Sequence, residues 1–284
     1  MSFRCIGFKF RLVLWLVTVG LTMGSPVRAG EDLVFLAYAY TPYYSEAPMA
    51  GKGLPGGGNG FVVDIVKAAY RAVGQGVEVR YQPMARSVLS LASGKFLGHI
   101  GSREVLYETI PKAELDSVNI SYYYIFLHYF KSHFNGVTPG FSELSDLRGY
   151  AIANIIGSPA GRILSQSGLA LDAAPKLEQG MAKLAAGRVD FWAAVGLTAQ
   201  TLGEIHLPHR MGEFSQLHPP VFGGSVDLNF KCSHPGYTLG KMGFMRGLRT
   251  IRDNGTYVKI LKSYFGHRRI PDQVHMGWPM EEWH

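Results

Sequence analysis

Few residues of this chain combine a chemically capable type with a useful position, and those few point to anion capture. Arg103, in GSRE, comes shortly after the apolar run FLGHI, which reads as a strand. It therefore sits at a carboxyl edge, where open α/β sheets bind ligands. A guanidinium there grips a carboxylate or phosphate in two-point geometry, or else pairs with the adjacent Glu104. Ser158, in IGSPAG, stands just ahead of a helix. Free N–H groups of a first helical turn favour negative charge, and the same serine is also an ordinary N-cap. Arg86, one turn into a helix opened by Pro83, is a further cation in reach of such a site. Tyr43 and Tyr44 follow the first strand at its carboxyl edge. Trp192 lies inside the run VDFWAAV, where it reads first as core and second as a ring facing a ligand.

The sequence motifs of common enzymes do not fit. GSPAG is not the G-x-S-x-G nucleophile elbow, and GKGLPGG lacks the Gly-Lys-Ser/Thr ending of a phosphate loop. There is no H-E-x-x-H, and Pro208 breaks the helix that would align His206 with His209, so no metal and no cofactor are expected. A catalytic role would fall to an acid or base near the same edge, for which Glu104, Glu108 and His99 are the nearest groups.

The chain has 284 residues, 47% hydrophobic and 17% charged, a globular balance that excludes a disordered chain. Arg4, Lys9 and Arg11 precede an apolar run, Leu12 to Met23, that is shorter than the ~20 residues of a bilayer span. PVRAG follows, with Val27 and Ala29 at the small-residue positions of a cleavage site. Residues 1–29 thus read as a secretory signal peptide, without a cysteine for lipid anchoring. Its removal takes the formal charge from +7 to +3, too mild for a nucleic-acid partner. It also leaves Cys232 as the single cysteine, read as a small buried side chain rather than a nucleophile.

Strand and helix patterns alternate along the rest. LVFLAY, VEVRY and FLGHI read as strands, separated by the helices FVVDIVKAAYRAVG and PMARSVLSLASG. ISYYYIFLHYF (120–130) reads as one long strand. FSELSDLRG, SPAGRILSQSG and KLEQGMAKLAAG read as helices, and YAIANI, VDFWAAV and VDLNF as strands. The end is a helix pair hinged on Asp253-Asn254-Gly255. Its apolar stripes are Leu239, Met242, Met245, Leu248 and Ile251, then Tyr257, Val258, Leu261, Tyr264 and Phe265, with Arg246, Arg249 and Arg252 facing water. Two α/β units joined near 120–130 and 221–230 imply two lobes facing a cleft.

GFVVDIVKAAYRAVG, LASGK, ISYYY, DLRGYAIANIIGS, MAKLAAGRVDF and IRDNGTYVKILKSYFG, in that order, resemble the periplasmic solute-binding proteins of family 3, the polar amino-acid type. The resemblance runs from about residue 32 to 268. It implies a two-lobed type II periplasmic binding fold, each lobe a mostly parallel sheet flanked by helices. Lobe 1 would comprise 30–124 plus 226–284, and lobe 2 would comprise 125–225. It further implies a monomeric periplasmic receptor for a small-molecule ligand, with a membrane permease complex as partner, and an aromatic from the Tyr43–Tyr44 loop lining the ligand. Asp64 matches the family's helix start and is read as a structural cap. Where the family carries its α-carboxylate Arg, ahead of the motif Ser, this chain has Glu114. Where the family carries its α-amino Asp, it has Val195 and Gly196. The amino-acid specificity is therefore not carried over. A dehydratase- or lyase-like enzyme, or a sensor or redox-system accessory protein, remains the alternative on this fold.

Overall fold

The computed structural model describes residues 32–46, 58–137, 139–266 and 270–274. The expected leader lies outside the described residues. The elements are β1 (Leu33–Ala37), α1 (Phe61–Arg71), β2 (Val77–Tyr81), α2 (Met84–Ala92), β3 (Gly98–Gly101), α3 (Arg103–Leu106), β4 (Leu115–Phe130), β5 (Ile152–Ile155), α4 (Pro159–Gln166), β6 (Leu171–Ala174), α5 (Leu177–Ala185), β7 (Phe191–Val195), α6 (Gly196–His206), β8 (Phe214–Gln216), β9 (Phe222–Lys231), α7 (Tyr237–Asp253) and α8 (Thr256–Phe265). FSELSDLRG holds only a short 3-10 turn, Leu144–Leu147.

All nine strands form one sheet, ordered β2-β1-β3-β9-β4-β7-β5-β6, with β8 on β4. β1 is parallel to both β2 and β3, and β5 is parallel to both β6 and β7. Between these groups run the two long strands. β4 and β9 pair antiparallel from Leu115↔Lys231 to Ile125↔Phe222, with a register shift between Asn119 and Ser121. Beyond that ladder, β4 pairs with β7 and β8. The result is a two-lobed α/β fold in which β4 and β9 belong to both groups of strands.

β1, β3, β5 and β7 read as short apolar runs because helices cover both of their faces. Four elements were not visible in the hydrophobic pattern, among them α3 and β6, which are only four residues each. α6 buries Thr198, Ala199, Thr201, Leu202 and Gly203, a face too polar and too small to give an apolar period. β8 is three half-buried residues.

The terminal helix pair differs from its expected stripes. α7 buries Gly240, Phe244, Gly247, Leu248 and Ile251, while Leu239, Met242 and Met245 are exposed. The reason is close packing on α1. A Cβ at Gly247 would overlap the carbonyl oxygen of Ala69, and the Tyr70 hydroxyl donates to the Gly240 carbonyl at 2.9 Å. Small residues let the two helices approach, so the larger apolar side chains of α7 are displaced outward. α8 buries Tyr257, Leu261, Tyr264 and Phe265 and leaves Val258 exposed. Gly255, at φ 77°, makes the expected left-handed turn between the helices. The Tyr264 hydroxyl donates to Asp64 at 2.5 Å, fastening α8 to the start of α1. Burial pushes the Asp64 carboxyl above its ordinary pKa.

Two histidines are fully enclosed. His99, on β3, has no exposed area, and neither ring nitrogen has a hydrogen-bond partner among the described residues. His128, on β4, donates from Nε2 to the Ala194 carbonyl at 3.1 Å. Burial pulls their pKa values down to about 3 and about 4.

Two predictions follow from this packing. Gly247→Ala should lower stability by about 2 kcal/mol, read by urea denaturation, because the helix backbones must separate. Gly243→Ala should be neutral or stabilising by about 0.5–1 kcal/mol, since its Cβ would meet only Tyr70 at 3.7 Å. The pH dependence has a fixed sign. Both histidines stay neutral in the fold and are protonated near 6.5 when unfolded, so their contribution is complete above that pH. It declines as pH falls toward 4, by about 1.4 kcal/mol per pH unit for each histidine. Unfolding curves between pH 7 and 4.5 should show a shallower decline in His99→Phe than in the parent chain.

Candidate functional site

The carboxyl ends of β1 and β3 face those of β5 and β7, and the loops leaving these ends meet over the β4–β9 ladder. β1 leads into Tyr38, Tyr40, Tyr43 and Tyr44, a tight turn in which the Tyr40 N–H donates to the Tyr44 carbonyl at 2.7 Å. β3 leads into Ser102 and Val105, β5 into Ser158 and Pro159, and β7 ends at Val195. With Tyr123 and Ile125 from β4, Val226 from β9 and Met84 from α2, these side chains line one cavity of about 30 Å³. That is room for a water molecule or two.

Tyrosine dominates this cavity. The rings of Tyr38 and Tyr44 meet edge to face at 5.3 Å, and Tyr40 lies 6.4 Å from Tyr38 and 6.2 Å from Tyr44. Their hydroxyls form a chain. Tyr44 donates to Tyr38, and the Ser102 N–H donates to the Tyr38 oxygen at 3.4 Å. Tyr123 donates to Ser102 Oγ at 3.0 Å, which in turn donates to Glu104 at 2.7 Å. Burial pushes the Tyr38 phenol up to about 12, and those of Tyr40, Tyr44 and Tyr123 upward as well, so all four stay neutral donors. Two contacts join the β1–β3 side to the β5–β7 side: the Val195 backbone hydrogen-bonds the Tyr40 hydroxyl, and Arg162 on α4 forms an ion pair with Glu108.

The candidate residues read from the sequence separate into groups. Tyr43, Tyr44 and Ser158 line the cavity. Tyr43 is almost fully buried, with its ring 5.0 Å from Phe61 and its hydroxyl donating to the Tyr122 carbonyl at 3.3 Å. Ser158 caps α4 by accepting from the Gly161 N–H at 3.0 Å. Beside it, Asn154 is buried with Oδ1 unpartnered among the described residues. Thr198 Oγ1, in the first turn of α6, is buried and unpartnered in the same way.

Arg103 is engaged elsewhere. It forms a two-point ion pair with Asp227, with Nε 2.8 Å from Oδ2. Asp227 is wholly buried and also accepts from Ser225 Oγ at 2.6 Å and Asn119 Nδ2 at 3.4 Å. Burial opposes the charge on Arg103, and the Asp227 bonds outweigh it, so its pKa moves up. Neither Arg103 nor Glu104 lines the cavity. Arg86 is exposed on α2 and makes no ion pair among the described residues. Trp192 is buried on β7, where a Cβ at Gly180 would press on its indole and His128 lies 5.9 Å away, outside the cavity. Of the possible acids and bases, His99 is enclosed in β3, Glu108 pairs with Arg162, and Glu104 is held by Ser102 and Ser225.

Tyr38, Tyr40, Ser102 and Tyr123 were not singled out from the sequence. The run YAYTPYY was the available signal: four tyrosines within seven residues exceed what a loop needs for packing.

The Arg103–Asp227 pair gives a thermodynamic expectation. Arg103→Ala leaves a buried carboxylate without its counter-charge and should cost about 2–4 kcal/mol. Arg103→Ala combined with Asp227→Asn should recover part of that loss. A double-mutant cycle by chemical denaturation reads the coupling, and additive losses would mean the pair contributes no coupling.

No family model matches the chain, and no curated protein matches it. Solved structures do. A histidine kinase sensor domain with similarity to periplasmic binding proteins aligns with TM-score 0.64 at 19% identity, covering 84% of this chain and 97% of that one. The arginine-, lysine-, histidine-binding protein ArtJ from Geobacillus stearothermophilus aligns with TM-score 0.64 at 16% identity, over 86% and 99%. An ancestral arginine-binding protein bound to arginine gives TM-score 0.63 at 18% identity, over 84% and 100%. Similarity at these identities is one of fold, and the fold is the two-lobed type II periplasmic binding fold.

Proposed function

We propose that this protein is an exported receptor that captures a small solute between lobe 1, residues 30–124 with 226–284, and lobe 2, residues 125–225. One observation carries the reading. The cavity lies between the carboxyl ends of strands from both lobes, with Ser102 facing it from one side and Ser158 from the other. Open α/β sheets bind ligands at such edges. The neighbours in fold include proteins whose names record amino-acid binding.

The ligand is anionic or zwitterionic, and a zwitterion fits better. Arg103 is neutralised by Asp227, so the remaining anion-binding groups are the first turn of α4 at Ser158 and the unpartnered Thr198 hydroxyl, while the unpartnered Asn154 Oδ1 can only accept, as from an ammonium group. The tyrosine faces of Tyr38, Tyr40 and Tyr44 suit an ammonium group through their ring quadrupoles. A cavity of about 30 Å³ is smaller than any such solute, so binding goes with separation of the lobes about β4 and β9 or with rotation of the tyrosine rings. The reading is of a binder rather than an enzyme, because Glu104, Glu108 and His99 are each buried or tied to protein partners. Delivery to an ABC-type permease is the first downstream role. Signalling to a membrane partner is the second, favoured by the likeness to a histidine kinase sensor domain.

Calorimetry and thermal-shift measurements with amino acids, other zwitterions and dicarboxylates test it. One solute should bind with 1:1 stoichiometry and, at a hundredfold excess over its Kd, stabilise the protein by about 2.7 kcal/mol. Ser158→Ala should weaken that binding by about tenfold. If no solute in the panel raises the melting temperature, the receptor reading is lost.

A further inference from the structure

The outward face of α7 differs from the cavity wall in composition and chemistry. Leu239, Met242 and Met245 stand three residues apart and are 79%, 63% and 43% exposed. Positions three apart on a helix are neighbours on one face, so these side chains form a single apolar ridge. Arg246 and Arg249 share that face, are exposed, and form no ion pair among the described residues. α8 packs against α7 and adds exposed Val258, Lys259 and Lys262. Across both helices Asp253 is the only acid, set against Lys241, Arg246, Arg249, Arg252, Lys259 and Lys262. The helix pair is therefore +5, more than the +3 expected of the chain without residues 1–29, although Lys241 is paired with Asp116.

The ridge is not an accident of a helix with spare apolar residues. The inward face uses Gly240 and Gly247 so that α1 can approach, which directs leucine and methionine outward. Exposed apolar ridges flanked by cations mark interaction surfaces. The chemistry favours a lipid surface over a protein. Among the described residues the face has no exposed aromatic anchor, and Arg246, Arg249, Lys259 and Lys262 give it one sign of charge, which complements an anionic surface. Unbranched and γ-branched apolar side chains interleaved with guanidinium and ammonium groups are what an interfacial helix presents to anionic headgroups.

We propose that the α7–α8 face docks this protein peripherally on an anionic membrane surface, with Leu239, Met242 and Met245 entering the headgroup boundary and Arg246, Arg249, Lys259 and Lys262 contacting lipid phosphates. Docking holds the receptor at the membrane independently of what fills its cleft.

Co-sedimentation with lipid vesicles is the test. Binding to phosphatidylcholine vesicles containing phosphatidylglycerol should exceed binding to phosphatidylcholine alone by at least about tenfold, and should fall at high salt. Arg246→Gln with Arg249→Gln should abolish most of the difference. Leu239→Ser with Met242→Ser should weaken binding while leaving the salt dependence, which separates insertion from simple attraction. These positions are exposed, so melting temperatures should be unchanged. Equal recovery on neutral and anionic vesicles overturns the proposal. So does binding that neither variant pair alters, or a concentration-dependent dimer without lipid that the same variants dissociate, which would make the occupant a second copy.

Discussion

Everything in this molecule depends on the antiparallel pairing of β4 with β9. β4 has sixteen residues, which at about 3.4 Å per residue makes it long enough to serve two helix-covered strand groups. Its first part, with β9, completes the sheet that begins β2-β1-β3, and its last part pairs β7 and β8. The ladder fixes the distance and orientation of the two groups, and so decides which strand ends can face one another. It also limits how they can move. Strands paired over ten positions bend as a unit, most easily where the register shifts between Asn119 and Ser121. That irregularity lies beside Asp227, so the ion pair with Arg103 is anchored at the ladder's least regular point.

The cleft reflects a choice between charge and aromatic surface. An arginine at the end of β3 could have been the anion clamp, and the chain instead gives it a buried partner in Asp227. A two-point pair of this kind satisfies the carboxylate and removes the guanidinium from easy use by a ligand. With both charges spent on each other, the cavity wall is made of neutral tyrosines whose hydroxyls donate in sequence from Tyr44 to Tyr38 and from Tyr123 through Ser102 to Glu104. Phenols raised well above neutral pH cannot become anions here. What this wall can offer is hydrogen-bonding hydroxyls and ring faces, beside the helix N-terminus at Ser158.

The fold was largely legible in the sequence because its signals are local. Apolar runs of four or five residues give β1, β3, β5 and β7, and regular spacing gives α1, α2 and α5. The lining of the cavity was legible only in part. Ser158 and the Tyr43–Tyr44 pair could be found because helix caps and strand-end loops have sequence signatures. Arg103 could be located but not its partner, since Asp227 lies 124 residues away and antiparallel register decides their meeting. Trp192 carries no sign of which way it faces, and burial against Gly180 is a property of packing alone. α6 went unseen for the opposite reason to a surface helix, its buried face being threonine, alanine and glycine.

α7 shows why periodicity alone can invert a helix. Both of its faces have helical spacing, one in glycine and a few large side chains, the other in leucine and methionine, and a hydrophobicity pattern favours the second. Packing favours the first, because two helix backbones in close contact gain dispersion contacts along their whole length, which a ridge of long side chains would prevent. The apolar side chains excluded from the core then lie among arginines that were always bound for solvent. A surface with both properties arises as a consequence of tight internal packing, and it costs the fold nothing further to use it.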